Sequence, residues 1–338
     1  MKSFAKFLGI GLVGILFLNS CEDKSTFKPG YAGSFGELIV VVSDNLWKTD
    51  LGDTIYESLG AYQYGFPQDE RQFNIIQVTP QKFKNVLRTH RNVCIVKIDS
   101  NATKPIVLQK GKWANGQIVV TLSARSYNSL FEVVKNHVSR AADIFKQSEI
   151  NRHYKRNLKF GNAELNKEIE KTRGFKMVTQ KDVYLEKNDS SVTWIRLERE
   201  RPKGGFKHQI SQGVLTFSLP YTDKMNFLDT NIYQTVDSVF KEHLLGPGPG
   251  QHMRLNFRYI EPLGKEVNFK NSFAKEYRGL WRMQGNAMGG PMYLLVFLDE
   301  VNARVVYSFG YVFAPQFDKR EYLREVEGMI QSIEVPKV

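Results

Sequence analysis

The sequence ELIVVVS at residues 37–43 is an apolar run of strand length that is rich in β-branched side chains. Directly after it, apolar residues recur at helical spacing: Trp47, Leu51, Ile55 and Leu59. β-Branched residues favour strands, whereas apolar residues three or four apart mark one face of a helix. The stretch therefore predicts a buried strand followed by an amphipathic helix, the first unit of a mixed α/β domain.

Further strand and helix patterns continue this domain. Residues 73–79 (FNIIQVT) predict a second strand, and Thr79-Pro80 then supplies the N-cap and first-turn proline of a second helix. Three more strands are expected at 93–99, 105–109 and 117–122. The last two bracket a Gly-containing connection and are predicted to form a hairpin.

A long helix follows the hairpin. From Ser126 an apolar stripe at helical spacing runs to Phe145, and helical sequence continues until Gly161 breaks it. A second helical piece is expected to end near residue 171. We place a domain boundary shortly after it, near residue 173.

Residues 174–338 differ from the first half because strand patterns dominate their sequence. Strands are expected at 176–186, 192–199, 213–219, 254–260, 277–283, 292–298 and 304–313. One helical pattern around Val236 interrupts them, and an amphipathic helix over 322–333 closes the chain. The expected fold class is therefore α+β: an N-terminal α/β domain over 35–173, and a C-terminal antiparallel sheet packed with helices over 174–338.

The first 20 residues have the layout of a secretory signal. Lys2 and Lys6 form a positive region, and the apolar run at 7–18 is too short to span a bilayer comfortably. The run ends in LNSC at 18–21, which resembles the lipobox of bacterial lipoproteins. In that family the signal is cut before a cysteine that becomes acylated, so the resemblance implies that Cys21 is lipidated.

Residues 21–34 are then expected to be a tether between the lipid and the folded domains. Glu22 and Asp23 resemble the surface-export tag of Bacteroidota lipoproteins, although a solvated tether explains them equally well. The resemblance implies a lipid-anchored protein of the outer membrane, on its periplasmic face or at the cell surface. The alternatives are an ordinary signal peptide with an incidental cysteine, and an uncleaved anchor.

Composition and charge exclude several classes of protein. The chain has 338 residues with 42% hydrophobic and 24% charged content, which excludes a disordered chain, and its two cysteines exclude a disulfide scaffold. The formal net charge is +12, and only Lys2 and Lys6 of the basic residues lie in the signal segment. A nucleic-acid partner is not expected for an exported lipoprotein.

Five basic residues cluster around one helical stretch: Lys146, Arg152, Lys155, Arg156 and Lys159. We interpret them as a candidate contact surface for anionic lipid or an acidic protein, because the fields of neighbouring cations add. A solvated helix face is the alternative.

No motif in the sequence specifies a reaction. The six histidines show no paired-ligand spacing, so we expect no metal site and no cofactor. Cys94 lies inside an apolar strand and is expected to be an inert, buried thiol. Glu198 and Glu200 share one face of a strand, the minimum for a carboxylate pair, but an ion-paired edge is the simpler interpretation.

Four segments together resemble an uncharacterised family of Bacteroidota lipoproteins known only as a domain of unknown function. They are the lipobox, ELIVVVSDNLW at 37–47, GFPQ at 65–68, and YVFAPQFDKREYLREVEGMIQSI at 311–333. The resemblance implies a location and no activity. The second half is also similar to the PsbP-like α/β/α sandwich, which implies a scaffold used mainly for binding.

These observations lead to one main expectation of function. We expect a non-enzymatic envelope lipoprotein, held to the membrane by its lipid anchor, that acts as a binding or accessory subunit of an outer-membrane assembly. The alternative is a hydrolase of envelope polymers.

Overall fold

The computed structural model describes residues 28–335. The first half contains five strands, β1 (Glu37–Val41), β2 (Asn74–Val78), β3 (Asn92–Ile98), β4 (Ile106–Lys110) and β5 (Ile118–Ala124). They form one sheet in the order β2-β1-β3-β5-β4. The β4–β5 pair is antiparallel and the other neighbours are parallel. All five strands expected from the sequence are confirmed.

Helices cover one face of this sheet: α1 (Asp44–Trp47), α2 (Asp50–Leu59) and α3 (Tyr127–Phe160). The apolar stripes of α2 and α3 share one core with Leu38 and Val40 of the sheet. The inner strand β1 is apolar on both faces because both are covered. No helix within residues 28–335 has the length and apolar character needed to cross a bilayer.

The prediction of a helix starting at Thr79-Pro80 is wrong. The amide of Phe83 donates to the Thr79 carbonyl, which closes one turn, but Lys84 is extended and ends it. A short 3-10 helix at Asn85–Thr89 follows. Phe83 packs edge to face on Trp113 and shares a cluster with apolar residues of the sheet. The segment therefore covers the second face of the sheet as a loop, since this packing outweighs its helical pattern.

The second half is built on an eight-stranded antiparallel sheet. Its strands are β6 (Tyr184–Asn188), β7 (Val192–Lys203), β8 (Phe206–Pro220), β9 (His252–Leu255), β10 (Leu263–Phe269), β11 (Ser272–Gln284), β12 (Gly289–Asp299) and β13 (Arg304–Phe313). Their order is β10-β11-β12-β13-β8-β7-β6, and β9 pairs with β11.

Helices cover both faces of this sheet: α4 (Ala163–Arg173), α5 (Asp229–His243) and α6 (Arg320–Ile330). Leu165 and Ile169 of α4 share a core with α6, whereas α5 packs in a separate cluster on the other side. Although α4 precedes Gly174, it thus packs with the second half. The α+β class, with one mixed and one antiparallel sheet, is confirmed.

Three strand assignments in this half differ from the structure. The strand expected at 254–260 is β9, which begins at His252 and ends at Leu255, because residues 257–259 form a turn. The strand expected from residue 176 begins only at Tyr184, because Lys176 makes an isolated bridge to Glu334 instead of joining the sheet. The edge strand β10 was not predicted at all. Its sequence LGKEVNF has no alternation of apolar and polar residues. None is needed, because the strand lies at the sheet edge with most residues exposed, and its backbone pairing with β11 stabilises it.

The two halves meet where α3 packs against α6. The GFPQ segment and the terminal stretch, which lie far apart in the sequence, come together at this joint, where the Lys319 ammonium donates to the Gln68 side chain. The Glu70 carboxylate accepts hydrogen bonds from the amides of Lys319 and Arg320, at the start of α6. Gly65 has a φ of 78°, and a Cβ there would lie 2.6 Å from the Gly279 amide. Only glycine allows this close approach of the two backbone segments.

Candidate functional site: a basic groove beside the long helix

A groove of about 750 Å³ lies between α3 and the end of the β4–β5 hairpin. Five of its lining residues recur at spacings of three or four along α3: Ile144, Ser148, Arg152, Lys155 and Lys159. Residues at this spacing share one face of a helix. One stripe of α3 therefore forms a whole wall of the groove.

The β4–β5 hairpin forms the opposite wall. Leu108 and Lys110 of β4 and Ile118 of β5 line the groove. The connection between the strands contains Gly111 and Gly116, whose φ angles of 62° and 77° are left-handed. Glycine adopts this conformation without strain, so the chain can turn back on itself beside the helix.

The first described residues are held against this hairpin. The Asn115 side chain donates to the Lys28 carbonyl at 2.8 Å, and the Lys28 ammonium donates to the Gly111 carbonyl at 2.7 Å. Ala32 then pairs by backbone hydrogen bonds with Thr89 and Arg91. The tether predicted over 21–34 is thus docked on the domain from residue 28 onward. The lipidation site predicted at Cys21 lies outside the described residues.

The five basic residues predicted as one surface do not share one face. Lys155, Arg156 and Lys159 are exposed, as expected, and line the groove. Lys146 is half-buried and lines a different cleft. Lys146 and Lys155 are nine residues apart, which is two and a half turns of an α-helix. They therefore point to opposite sides of α3.

Arg152 is not part of the exposed surface, because only 9% of it is accessible to solvent. Its guanidinium donates to the side chains of Glu149 (2.6 Å) and Asn92 (3.0 Å), and to the carbonyls of Arg91 (2.8 Å) and Gly116 (3.1 Å). Burial lowers its pKa to about 10, against the opposing effect of Glu149. Arg152 therefore stays cationic at neutral pH and forms the floor of the groove.

The groove carries one sign of charge. Its lining contains five basic residues: Lys110, Arg152, Lys155, Arg156 and Lys159. No Asp or Glu of residues 28–335 belongs to the lining. Exposed apolar side chains adjoin the cations, with Leu108 at 42%, Leu158 at 63% and Phe160 at 59% exposure. The site is thus suited to a ligand that combines negative charge with apolar surface.

Lys110 was not identified from the sequence. It ends a short strand, and only the hairpin's position beside α3 brings it to the other basic residues. A strand-end lysine carries no signal of its own, because such residues are ordinarily solvated.

The remaining sequence candidates do not form a site. Cys94 is fully buried, and burial raises its thiol pKa to about 12. Glu198 is held by Arg196 at 2.5 Å, and Glu200 lies 3.3 Å from Lys207, as the ion-paired interpretation predicts. In the part of the chain that the structure describes, no three His, Cys, Asp or Glu residues are grouped to hold a metal ion.

Comparison with known proteins gives two family matches. A family model described as Domain of unknown function (DUF4837) matches residues 162–332. A second, described as Domain of unknown function (DUF8532), matches residues 32–158. No curated protein matches the sequence. The first match begins just before α4 and ends just after α6.

Proposed function

The chain belongs to the DUF4837 family, and we propose that it is a lipid-anchored envelope protein that acts by binding rather than by catalysis. In this proposal the basic groove holds anionic headgroups at the membrane surface. We further propose that this membrane-bound protein is an accessory subunit of an outer-membrane assembly.

The observation that carries the proposal is the charge of the groove. Five cations and no carboxylate of the described residues line it. Exposed basic residues are ordinarily interspersed with acidic ones, so a groove of one sign favours a partner of the opposite sign. A membrane surface rich in anionic lipid supplies such a partner, at about 1 kcal/mol for each Lys or Arg near it.

The path of the chain supports the same orientation. Lys28 is bonded to the hairpin that forms one wall of the groove. Cys21 is seven residues earlier, and an extended chain of that length spans at most about 25 Å. A lipid at Cys21 therefore holds the Lys28 end of the groove within about 25 Å of the bilayer. The groove cations can then reach the layer of roughly 8 Å in which the surface charge is not screened at physiological salt.

The apolar side chains at the end of α3 fit a membrane contact. Leu158 and Phe160 flank Lys159, and both are more than half exposed. At a lipid interface such side chains insert among the headgroups while the neighbouring cations bind phosphate.

A vesicle-binding experiment tests the proposal. The chain from residue 21 onward, carrying Cys21→Ser so that it has neither the apolar run at 7–18 nor the predicted acylation site, is mixed with anionic or neutral phospholipid vesicles. We expect binding to anionic vesicles only. Neutralising Lys155, Arg156 and Lys159 to Gln should weaken it by about 1 kcal/mol per residue at low salt, and added salt should remove the difference.

A matched control has the same change of charge elsewhere. Lys224, Lys241 and Arg258 are exposed residues of the second half outside the groove, and their change to Gln should leave vesicle binding intact. Equal binding by the two triple variants, or binding that ignores salt, contradicts the proposal.

A further inference from the structure

A second cleft lies on the other side of α3, between the two halves of the protein. It has a volume of about 580 Å³. One wall is the α3 face that carries Lys146, Ile150 and Tyr154, and the other is formed by β10, β11 and β12 beside α6. A ligand in this cleft therefore contacts both halves at once.

Lys146 is the distinctive group of the cleft. It is half-buried, yet its ammonium has no hydrogen-bond or ion-pair partner among residues 28–335. The neighbouring Arg278 differs, because it is held by both oxygens of Glu327 at 2.7 and 2.8 Å. A half-buried charge ordinarily has a partner, since desolvation is costly. The cleft thus presents an ammonium whose bonding capacity is not used by the described chain.

The other charged groups in the cleft are only partly paired, because Lys270 and Glu334 form an ion pair whereas the Glu276 carboxylate has the neutral Tyr293 as its partner. Lys270 pairs with Glu334 at 3.3 Å, and Tyr293 donates to Glu276 at 3.3 Å. Asp143 is exposed at the rim, one turn from Lys146, and Lys265 is exposed on the β10 wall. Lys146 and Lys265 are therefore the two cations on facing walls that a ligand can still neutralise.

Amide side chains next to Lys146 add hydrogen-bonding groups. Gln147 of α3 donates to Gln331 at the end of α6 at 2.8 Å and also contacts Asn151. All three side chains line the cleft. Donors of this kind, together with an ammonium, are the usual partners of a carboxylate or phosphate group.

We propose that this cleft binds a small ligand through an oxyacid group, a carboxylate or a phosphate, that pairs with Lys146. Binding would bridge α3 to β10 and α6 and so stabilise the packing of the two halves. Its cation is distinct from those of the proposed membrane contact, because Lys146 and Lys155 point to opposite sides of α3, whereas Gln147 and Asn151 line both sites.

The electrostatics of the cleft give this proposal a pH signature. Burial and the nearby Arg278 and Arg324 lower the pKa of Lys146 to about 8, and Glu327 and Glu276 oppose them. Because an anion pairs only with the charged ammonium, affinity should fall as pH rises above 8. Between pH 7 and pH 9 the charged fraction falls about tenfold, and the apparent affinity should fall with it.

Acetate and inorganic phosphate are the probes, titrated separately into the full-length protein to distinguish the two oxyacids. The readout is the side-chain NMR signal of Lys146, assigned by its absence in Lys146→Met, so that binding in the basic groove is not counted. Acetate is used for the pH series because its charge is constant between pH 7 and pH 9, whereas the charge of phosphate changes in that range. We expect one or both probes to shift the Lys146 signal and to raise its pKa.

Three variants complete the test, with binding followed by the side-chain amide NMR signal of Gln331, which lines the cleft but not the groove. Lys146→Met should weaken binding at pH 7 at least tenfold. Lys146→Arg should bind at pH 7 as the unaltered protein does, but its affinity should not change between pH 7 and pH 9, since a guanidinium does not titrate there. Lys155→Met, on the opposite side of the helix, is the control and should change it less than twofold.

The proposal is overturned if neither probe moves the Lys146 signal, or if Lys146→Met binds as well as the unaltered protein. These outcomes leave the vesicle experiment unaffected. Conversely, a loss of vesicle binding in the groove variants says nothing against the cleft.

Discussion

Glu149 accepts a 2.6 Å ion-paired hydrogen bond from Arg152, one turn further along α3, and both side chains are buried. Arg91, the residue directly before β3, lies 2.9 Å from the other carboxylate oxygen of Glu149. One carboxylate thus compensates two buried guanidinium groups and ties the long helix to the sheet. This arrangement removes Arg152 from the surface and fixes the floor of the basic groove.

Changing Glu149 to Gln should therefore destabilise the protein strongly. Removing one member of a buried ion pair leaves uncompensated charge, and such changes cost about 3–5 kcal/mol. The measurement is the free energy of unfolding in urea. Glu132→Gln is the control, because Glu132 pairs with Lys135 on the same helix at the same spacing but is exposed. It should cost less than about 1 kcal/mol, and equal effects would contradict the buried triad.

Glu70 should be important for holding the two halves together. Its carboxylate lies in the first half and accepts amide hydrogen bonds at the start of α6 in the second. Glu70→Ala leaves these amides without an acceptor, which should cost about 1–3 kcal/mol. The exposed Asp69→Ala is the control. Unfolding curves followed by probes in each half should separate in the Glu70 variant alone; coincident curves of unchanged midpoint would argue against this role.

The Cys94 thiol should be unreactive in the folded protein. Burial raises its pKa to about 12, so almost no thiolate exists at pH 8. In a Cys21→Ser chain, which has Cys94 as its single cysteine, a thiol reagent should label the native protein very slowly and the urea-unfolded protein at once. Rapid labelling without denaturant would show that the strand opens readily.

The raised pKa of the Cys94 thiol also affects the stability of the protein at alkaline pH. The unfolded thiol ionises near pH 8.5, whereas the folded thiol stays protonated until about pH 12. The raised pKa therefore stabilises the fold below pH 8.5, and this contribution is lost as pH rises. Cys94→Ala should flatten the decline of the unfolding free energy between pH 9 and pH 11; an unchanged slope would refute the assignment.

A fragment from Asn162 to Val338 should fold alone. It keeps α4, whose Leu165 and Ile169 belong to the core beside α6, and it keeps all eight strands of the second sheet. It loses the Gln72 carbonyl that accepts from Arg324, so it should be less stable than the same region in the full chain. Thermal unfolding should be cooperative. A broad transition would count against independent folding.

Lipidation of Cys21 remains a prediction from the sequence. Cys21→Ser should release the protein from membranes and abolish incorporation of labelled palmitate, because several acyl chains are needed for stable anchoring. Retention of the variant in the membrane fraction, together with no label in the unaltered protein, would refute it.

Local sequence patterns predicted most of the secondary structure. The strand at 37–43, the long helix from Ser126 and the closing helix each agree with the structure, because each buries an apolar face that repeats with the period of its own backbone. The helix after Thr79 failed where sheet packing of Phe83 overrode the local pattern, and β10 was missed because an exposed edge strand needs no apolar alternation.

The candidate sites depended on tertiary structure. The sequence alone determined that basic residues concentrate on α3, and helical spacing already places Lys146 opposite Lys155. It could not indicate that Glu149, Asn92 and the Arg91 carbonyl bury Arg152, that the hairpin brings Lys110 beside α3, or that β10 to β12 close a cleft over Lys146. Each of these contacts joins segments distant in the chain, so the environment of a charge, and hence its role, is set only when those segments pack.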